Sequence, residues 1–345
     1  MSIRKANNSG LTGSKYNNAL AGNTPIPDVP DAPTIGTATD VGTSLSYNNG
    51  SATVAFTAAA TGGTATSYTA TSSPGGFTAS GASSPLTVTG LQSNTAYTFS
   101  VTGTNATATG AASSASSSIT ATTVPQAPTI GTATDQGSGR AFNNGQASVA
   151  FTPGATGGKS VSSYTVTSSP GSYTGTGSSS PITVTGLQSA TAYTYTVTAT
   201  NANGTSSASS ASGSATATTV PAAPTIGTLT AVTGIAYGSN PNFTIAFTAP
   251  ATGGSTITGY KYSTDSGTTF ANATGTTSPI TLTTQGSGTA FAAGTSYTVI
   301  LRATNANGDS TSSSASSSVA AATVPQAPTI GTVSYTHLRA HETDS

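Results

Sequence analysis

Imidazole, thiol and clustered carboxylate groups carry most acid–base, nucleophilic and metal chemistry. The 345-residue chain has no Cys and two His, His337 and His341, both close to its end beside the one Glu, Glu342. Up to residue 332 there is neither His nor Glu. A Ser-His-Asp triad, a histidine acid or base, and a zinc, copper or haem site of the usual kind are therefore excluded there. The Asp residues before that point are Asp28, Asp31, Asp40, Asp135, Asp265 and Asp309. They are scattered, mostly at loops or junctions, and none is expected to recur at equivalent positions, so no carboxylate pair assembled across repeats is expected. Calcium takes about six to eight oxygens, usually from several carboxylates, and no such cluster is evident. Gly157-Gly158-Lys159-Ser160 has the outline of a phosphate-binding loop, but Pro153 stands where its first Gly belongs. No helix is expected to follow it, so it reads as a turn. The Asn-x-Ser/Thr sites at Asn105, Asn203 and Asn272 are of the kind that arises by chance in so Thr/Ser-rich a chain. No cofactor and no metal is expected.

Charge narrows the partners further. Eight Lys and Arg balance eight Asp and Glu, and charged residues make up 5% of the chain. Nucleic-acid binding needs a basic stripe to neutralise phosphates, so no nucleic acid is expected as a partner. No apolar run approaches the ~18 residues of a membrane helix, so membrane insertion is not expected. Met1 to Gly22 has Arg4 and Lys5 but no apolar run after them, unlike a Sec-type leader. The polar composition does not signal disorder, because net charge is zero and the apolar residues are patterned.

The elements that carry this pattern repeat. Ala-Pro-Thr-Ile-Gly begins at Ala32, Ala127, Ala223 and Ala327, at spacings of 95, 96 and 104 residues, each time after a Val-Pro pair. That period is too long for a solenoid unit and suits one small β-sandwich. Within a unit the apolar residues alternate. Ala52, Val54 and Phe56 share one side, Leu86 and Val88 alternate with Thr87 and Thr89, and Tyr97, Phe99 and Val101 alternate with Thr98, Ser100 and Thr102. Period two is the mark of half-buried antiparallel strands, and Thr suits their outward positions. Asn48-Asn49-Gly50, Thr61-Gly62-Gly63 and Ser73-Pro74-Gly75 supply turns between them. About seven short strands per unit are expected, and no helix.

The most specific motif is Leu91-Gln-Ser-Asn-Thr-Ala-Tyr97 with Phe99 and Val101. It recurs as Leu187, Tyr193, Tyr195, Val197 and as Phe291, Tyr297, Val299, Leu301. In these residues each unit resembles a fibronectin type III domain. The resemblance spans residues 30 to about 324 in three copies. It implies an all-β fold class, with three tandem seven-stranded immunoglobulin-like β-sandwiches in an elongated array. It implies a tyrosine corner in each, where the hydroxyl of Tyr97, Tyr193 or Tyr297 bonds back to the backbone upstream, beside Leu91, Leu187 or Phe291. Phe56, Phe151 and Phe247 stand where the family usually buries a Trp, so a smaller core of modest stability is expected. Asn105, Asn201, Asn203, Asn305 and Asn307 fall in the implied F–G hairpin loops and are the candidate contacts to a partner. Arg-Gly-Asp, the family's best-known adhesive motif, is absent.

The expected organisation is a polar arm (1–29), repeats at 30–124, 125–220 and 221–324, and the start of a truncated fourth repeat at 325–332. The last stretch, 333–345, resembles a translated sequencing adapter and breaks the compositional trend. The Pro-bracketed junctions are expected to hold neighbours semi-rigidly, giving a rod on the order of 100 Å long. The expected role is a non-enzymatic structural or adhesive spacer. A phage virion (tail, fibre or capsid surface) suits Cys-free sandwiches assembled in a host cytoplasm. Met1-Ser-Ile-Arg-Lys-Ala and Lys15-Tyr-Asn-Asn resemble the start of marine phage structural proteins with such repeats. Expected partners are other virion proteins or cell-surface glycans. A secreted bacterial adhesin or stalk, and the spacer of a carbohydrate-active enzyme, are the alternatives.

Overall fold

The computed structural model describes residues 28–331. Most of the expected arm and the whole stretch 333–345, with His337, His341 and Glu342, lie outside the described residues. The described chain is all strand and loop, in three units that each own a core.

The first unit has seven strands: β1 (Thr34–Asp40), β2 (Gly50–Thr57), β3 (Ser67–Ser73), β4 (Thr78–Gly81), β5 (Leu86–Leu91), β6 (Thr95–Thr104) and β7 (Ile119–Ala121). They form two antiparallel sheets, ordered β1-β2-β5 and β4-β3-β6-β7. The second unit repeats this with β8 (Thr129–Asp135), β9 (Gly145–Thr152), β10 (Ser163–Ser169), β11 (Thr174–Gly177), β12 (Ile182–Leu187), β13 (Thr191–Asn201) and β15 (Ala215–Ala217). A two-residue β14 (Gly204–Thr205) extends its hairpin after β13. In the third unit β16 (Thr225–Ala231), β17 (Phe243–Thr248) and β20 (Ile280–Leu282) make one sheet. Its other layer holds β18 (Ile257–Ser263), β19 (Ala271–Asn272), β22 (Ile300–Asn305) and β23 (Gly308–Asp309), with β21 (Ser296–Tyr297) pairing β24 (Val319–Ala320).

The alternation seen in the sequence decides what each core contains. Val54, Val88, Phe99 and Val101 fill the first, Val149, Val184, Tyr195 and Val197 the second, Ile245, Leu282, Val299 and Leu301 the third. The Thr and Ser between them face outward or sit half-exposed. Phe56, Phe151 and Phe247 are buried, each against a Tyr of the opposite sheet: Tyr68, Tyr164 and Tyr260, at ring-centroid distances of 4.7, 4.8 and 4.5 Å. A tilted aromatic pair thus fills each core at the expected Phe, and such pairs contribute about 0.5–1.5 kcal/mol beyond area burial.

The serine-rich segments before β7, β15 and β24 pack as sheet edges. In the second unit, Ser206, Ser209 and Ser212 donate their backbone N–H to the carbonyls of Ala199, Val197 and Tyr195 at 2.8–2.9 Å. Their hydroxyls accept the N–H of the same residues, each at 3.0 Å. Every third residue of the edge thus meets every second residue of β13, a bulge repeated in series. A serine Oγ takes the place of a strand carbonyl, so the buried N–H groups keep partners. Ser113 and Ser116 do the same for Val101 and Phe99, and Ser310, Ser313 and Ser316 for Ala303, Leu301 and Val299.

Candidate functional site: the junctions between repeats

The corner Tyr residues stiffen each unit from within. Tyr97, Tyr193 and Tyr297 are buried, and their hydroxyls accept the backbone N–H of Gln92, Gln188 and Ala292, each at 3.0 Å. Leu91, Leu187 and Phe291 are buried beside them. The turn between places Asn94, Ala190 and Gly294 at φ of 58°, 58° and 78°.

The asparagines expected to face a partner turn inward instead, and this corrects the sequence reading. Asn105, Asn201, Asn203 and Asn305 are buried, and Asn307 is half-buried. The amides of Asn201, Asn203, Asn305 and Asn307 donate to the end of the preceding repeat. Asn201 Nδ2 donates to the carbonyls of Thr123 and Thr156, both at 2.9 Å. Asn203 Nδ2 donates to Thr122 Oγ1 at 2.8 Å and to Thr123 O at 3.2 Å. Asn201 Oδ1 accepts Asn203 N at 2.9 Å, which holds the two side chains in one turn. On the far side Thr122 donates both its N–H and its hydroxyl to the Asp40 carboxylate. Backbone bonds close the contact: Ser44 N to Asn203 O at 2.7 Å, and Thr123 N to Gly157 O at 2.8 Å. Gly42 leaves room for it, since a Cβ there would lie 2.2 Å from Thr122 Oγ1 and 2.6 Å from Asn203 Nδ2.

The same lock recurs between the second and third repeats. Asn305 Nδ2 donates to Thr219 O and Thr252 O, both at 2.8 Å, and Asn307 Nδ2 to Thr218 Oγ1 at 2.9 Å and Thr219 O at 3.1 Å. Thr218 donates to Asp135 as Thr122 does to Asp40. Asp40 and Asp135 end β1 and β8, so a carboxylate does recur at equivalent positions, contrary to the sequence reading. Its role there is to accept bonds from Thr. The Gly157-Gly158 and Gly253-Gly254 turns pack against the preceding repeat's last carbonyls.

The first and third repeats carry only part of this residue set. In the first repeat Asn105 Nδ2 binds Asp28 O at 2.7 Å, but Thr107 stands where Asn203 and Asn307 would be. At the end of the third, Ala231 and Ala322 stand where Asp and Thr would be. Val124 and Val220 are 8% exposed inside their junctions, and Val324 is 42% exposed. Asparagine, threonine and one carboxylate, bonded to one another across each junction, can hold neighbours in register. No group of three or more His, Cys, Asp or Glu that could hold a metal occurs among the described residues. No helix there is long and apolar enough to cross a membrane.

A family model described as the fibronectin type III domain matches residues 138–215, within the second repeat. Among solved structures the chain is similar to the chicken CNTN1 FN1–FN3 domains, at 16% identity and a TM-score of 0.31, covering 84% of this chain and 98% of that one. No curated protein matches the chain. Domains of the matched type are non-catalytic modules, and the fold of the chain is a tandem series of all-β, fibronectin-type-III-like sandwiches.

Proposed function

We propose that the chain is a non-enzymatic spacer that holds its sandwiches in fixed relative orientation, as part of a phage virion such as a tail, fibre or capsid-surface protein. The observation that carries this reading is the repeated junction. Two asparagines, a threonine and an aspartate make the same set of bonds twice, where a free linker would need none. Loops on such sandwiches usually serve binding, and here the F–G loops serve the next-door repeat. The absence of Cys fits a particle assembled in a reducing compartment. The partners on this reading are other virion proteins, with any contact to cell-surface glycans made by faces other than the F–G turns.

Small-angle scattering on the full chain tests the stiffness. The wild-type curve should fit one extended arrangement of the three sandwiches. The Asn203→Ala/Asn307→Ala variant should require a broad ensemble while its circular dichroism stays unchanged. Equal flexibility in both proteins would overturn the spacer reading. Peptides of the chain in purified virus-sized particles, absent from the cellular fraction, are the expected result for the virion assignment, and the reverse distribution would remove it.

A further inference from the structure

One sheet face of the third repeat differs from its counterparts. In the first two repeats the outward positions of the long sheet carry hydroxyls, with Thr69 opposite Thr102 and Thr165 opposite Thr198. In the third, β18 and β22 set Lys261 opposite Arg302. Side chains directly opposite on a sheet lie about 5 Å apart, and like charges there are destabilising. Asp309 on β23 offsets the charge of one. It takes an ion pair from Lys261 Nζ at 2.7 Å and a bond from Thr304 Oγ1 at 2.7 Å. Burial alone would raise its carboxyl pKa, but the bonds from Lys261 and Thr304 and the charges of Lys261 and Arg302 outweigh it and hold the carboxyl below its usual value. The face keeps one net positive charge.

That charge is held in place. The Phe270 ring lies 4.0 Å from the Arg302 guanidinium carbon, and Arg302 Nε donates to Ser312 Oγ at 3.0 Å. Phe270 follows a loop gathered on Asp265, whose carboxylate accepts bonds from Ser263 Oγ, Thr268 N and Thr269 N. Hydrogen bonds from Ser263 and Thr269 hold the Asp265 carboxyl down at about 2. Among the described residues the two Nη groups of Arg302 have no acceptor, so the guanidinium fork is preorganised and unspent. Beside Lys261 lies a recess of about 270 Å³ lined by Thr258, Gly259, Tyr260, Asn272 and Thr304. Gly259 opens it. Ser67 and Ser163 take that position in the other repeats, and a Cβ at Gly259 would meet nothing within 4 Å.

We propose that this face of the third repeat binds a carboxylate-bearing sugar of an acidic polysaccharide. A planar fork with free donors suits a carboxylate, which it meets with two parallel bonds. The neutral rim of Thr258, Asn272 and Thr304 suits sugar hydroxyls, and Gly259, with no side chain, leaves room between them for a sugar ring. One net positive charge is too little for nucleic acid, whose affinity rests on neutralising many phosphates. The proposal is independent of the spacer reading, since none of these residues belongs to a junction.

Affinity electrophoresis of the full chain tests it, with gels containing polygalacturonate, dextran or dextran sulfate. Retardation is expected in polygalacturonate and not in dextran, and it should fade as salt is raised. Arg302→Thr and Lys261→Thr restore the residues of the other two repeats, so the fold is retained, and each should abolish the retardation. Gly259→Ser narrows the recess without changing charge and should weaken it. No retardation in polygalacturonate, equal retardation of Arg302→Thr, or retardation by the sulfated polymer alone would each overturn the proposal.

Discussion

At the residue scale the three copies act as internal controls on one another. Tyr195 occupies a core position that is Phe99 in the first repeat and Val299 in the third. It is buried, and its hydroxyl has no hydrogen-bond partner. Burial first, then Tyr193 and Asp135, push its phenol up to about 12. The neutral phenol is thus favoured in the folded state. Its contribution is complete below the unfolded value near 10 and is lost as pH rises through 12. Alkaline denaturation of the second repeat should therefore show a loss on the order of 2–3 kcal/mol over that window. Tyr195→Phe should remove that part of the pH dependence. At neutral pH the same variant should be neutral or more stable by about 1 kcal/mol, since it deletes an unsatisfied buried group. Ala190 gives a second case. It sits at φ 58°, where the sister positions carry Asn94 and Gly294. A left-handed residue with a Cβ costs roughly 1–2 kcal/mol. Ala190→Gly should recover up to about 1 kcal/mol in thermal denaturation, and a decrease would show that the methyl packs better than the backbone strains.

At the scale of elements, what the sequence showed and what it hid have different physical causes. The strands on either side of Phe56, Val88 and Phe99 were legible because one buried face imposes period two on side chains. The tyrosine corner was legible because Leu91 and Tyr97 lie within one turn of chain. The segment Ser206–Ser212 was not legible. Its pairing has period three and uses side-chain oxygens, so it matches neither strand nor helix patterning. The signal was present as Ser at 206, 209 and 212 and again at 310, 313 and 316, each with small residues between. Its energetic weight can be measured at Ser212, whose Oγ is the acceptor for the buried Tyr195 N–H. Ser212→Ala leaves that donor unpaired and should cost about 1–3 kcal/mol. Ser210→Ala, at an exposed neighbour, should stay within about 0.5 kcal/mol of wild type. Equal effects of the two would mean that backbone bonds alone hold the edge.

At the scale of the whole molecule the question is whether the repeats fold and move as one body. The asparagines of the F–G turns were legible as conspicuous residues, but their partners were not, because a loop's exposure depends on what the chain packs beside it. The clue lay in comparing the copies. Asp40 with Thr122, and Asp135 with Thr218, occur where a following repeat brings Asn203 or Asn307. The third repeat has Ala231 and Ala322 at the Asp and Thr positions, and the first has Thr107 at the second Asn position. In a linear array, stability is approximately a sum of repeat terms and nearest-neighbour interface terms. The lock should therefore appear as coupling within a junction and not between junctions. Asp40 and Asn203 act on the same Thr122 hydroxyl, one accepting its proton and the other donating to its oxygen. A double-mutant cycle of Asp40→Ala and Asn203→Ala, read by chemical denaturation, should give an interaction energy of roughly 0.5–3 kcal/mol. Asn203→Ala and Asn307→Ala belong to different junctions, and their effects should add within about 0.5 kcal/mol. Strong coupling between Asn203 and Asn307 would mean that the second repeat passes strain from one end to the other. Absence of coupling between Asp40 and Asn203 would mean that the threonine hydroxyl does not join them, and the stiffness of the array would then rest on the Asn201 and Asn305 carbonyl bonds alone.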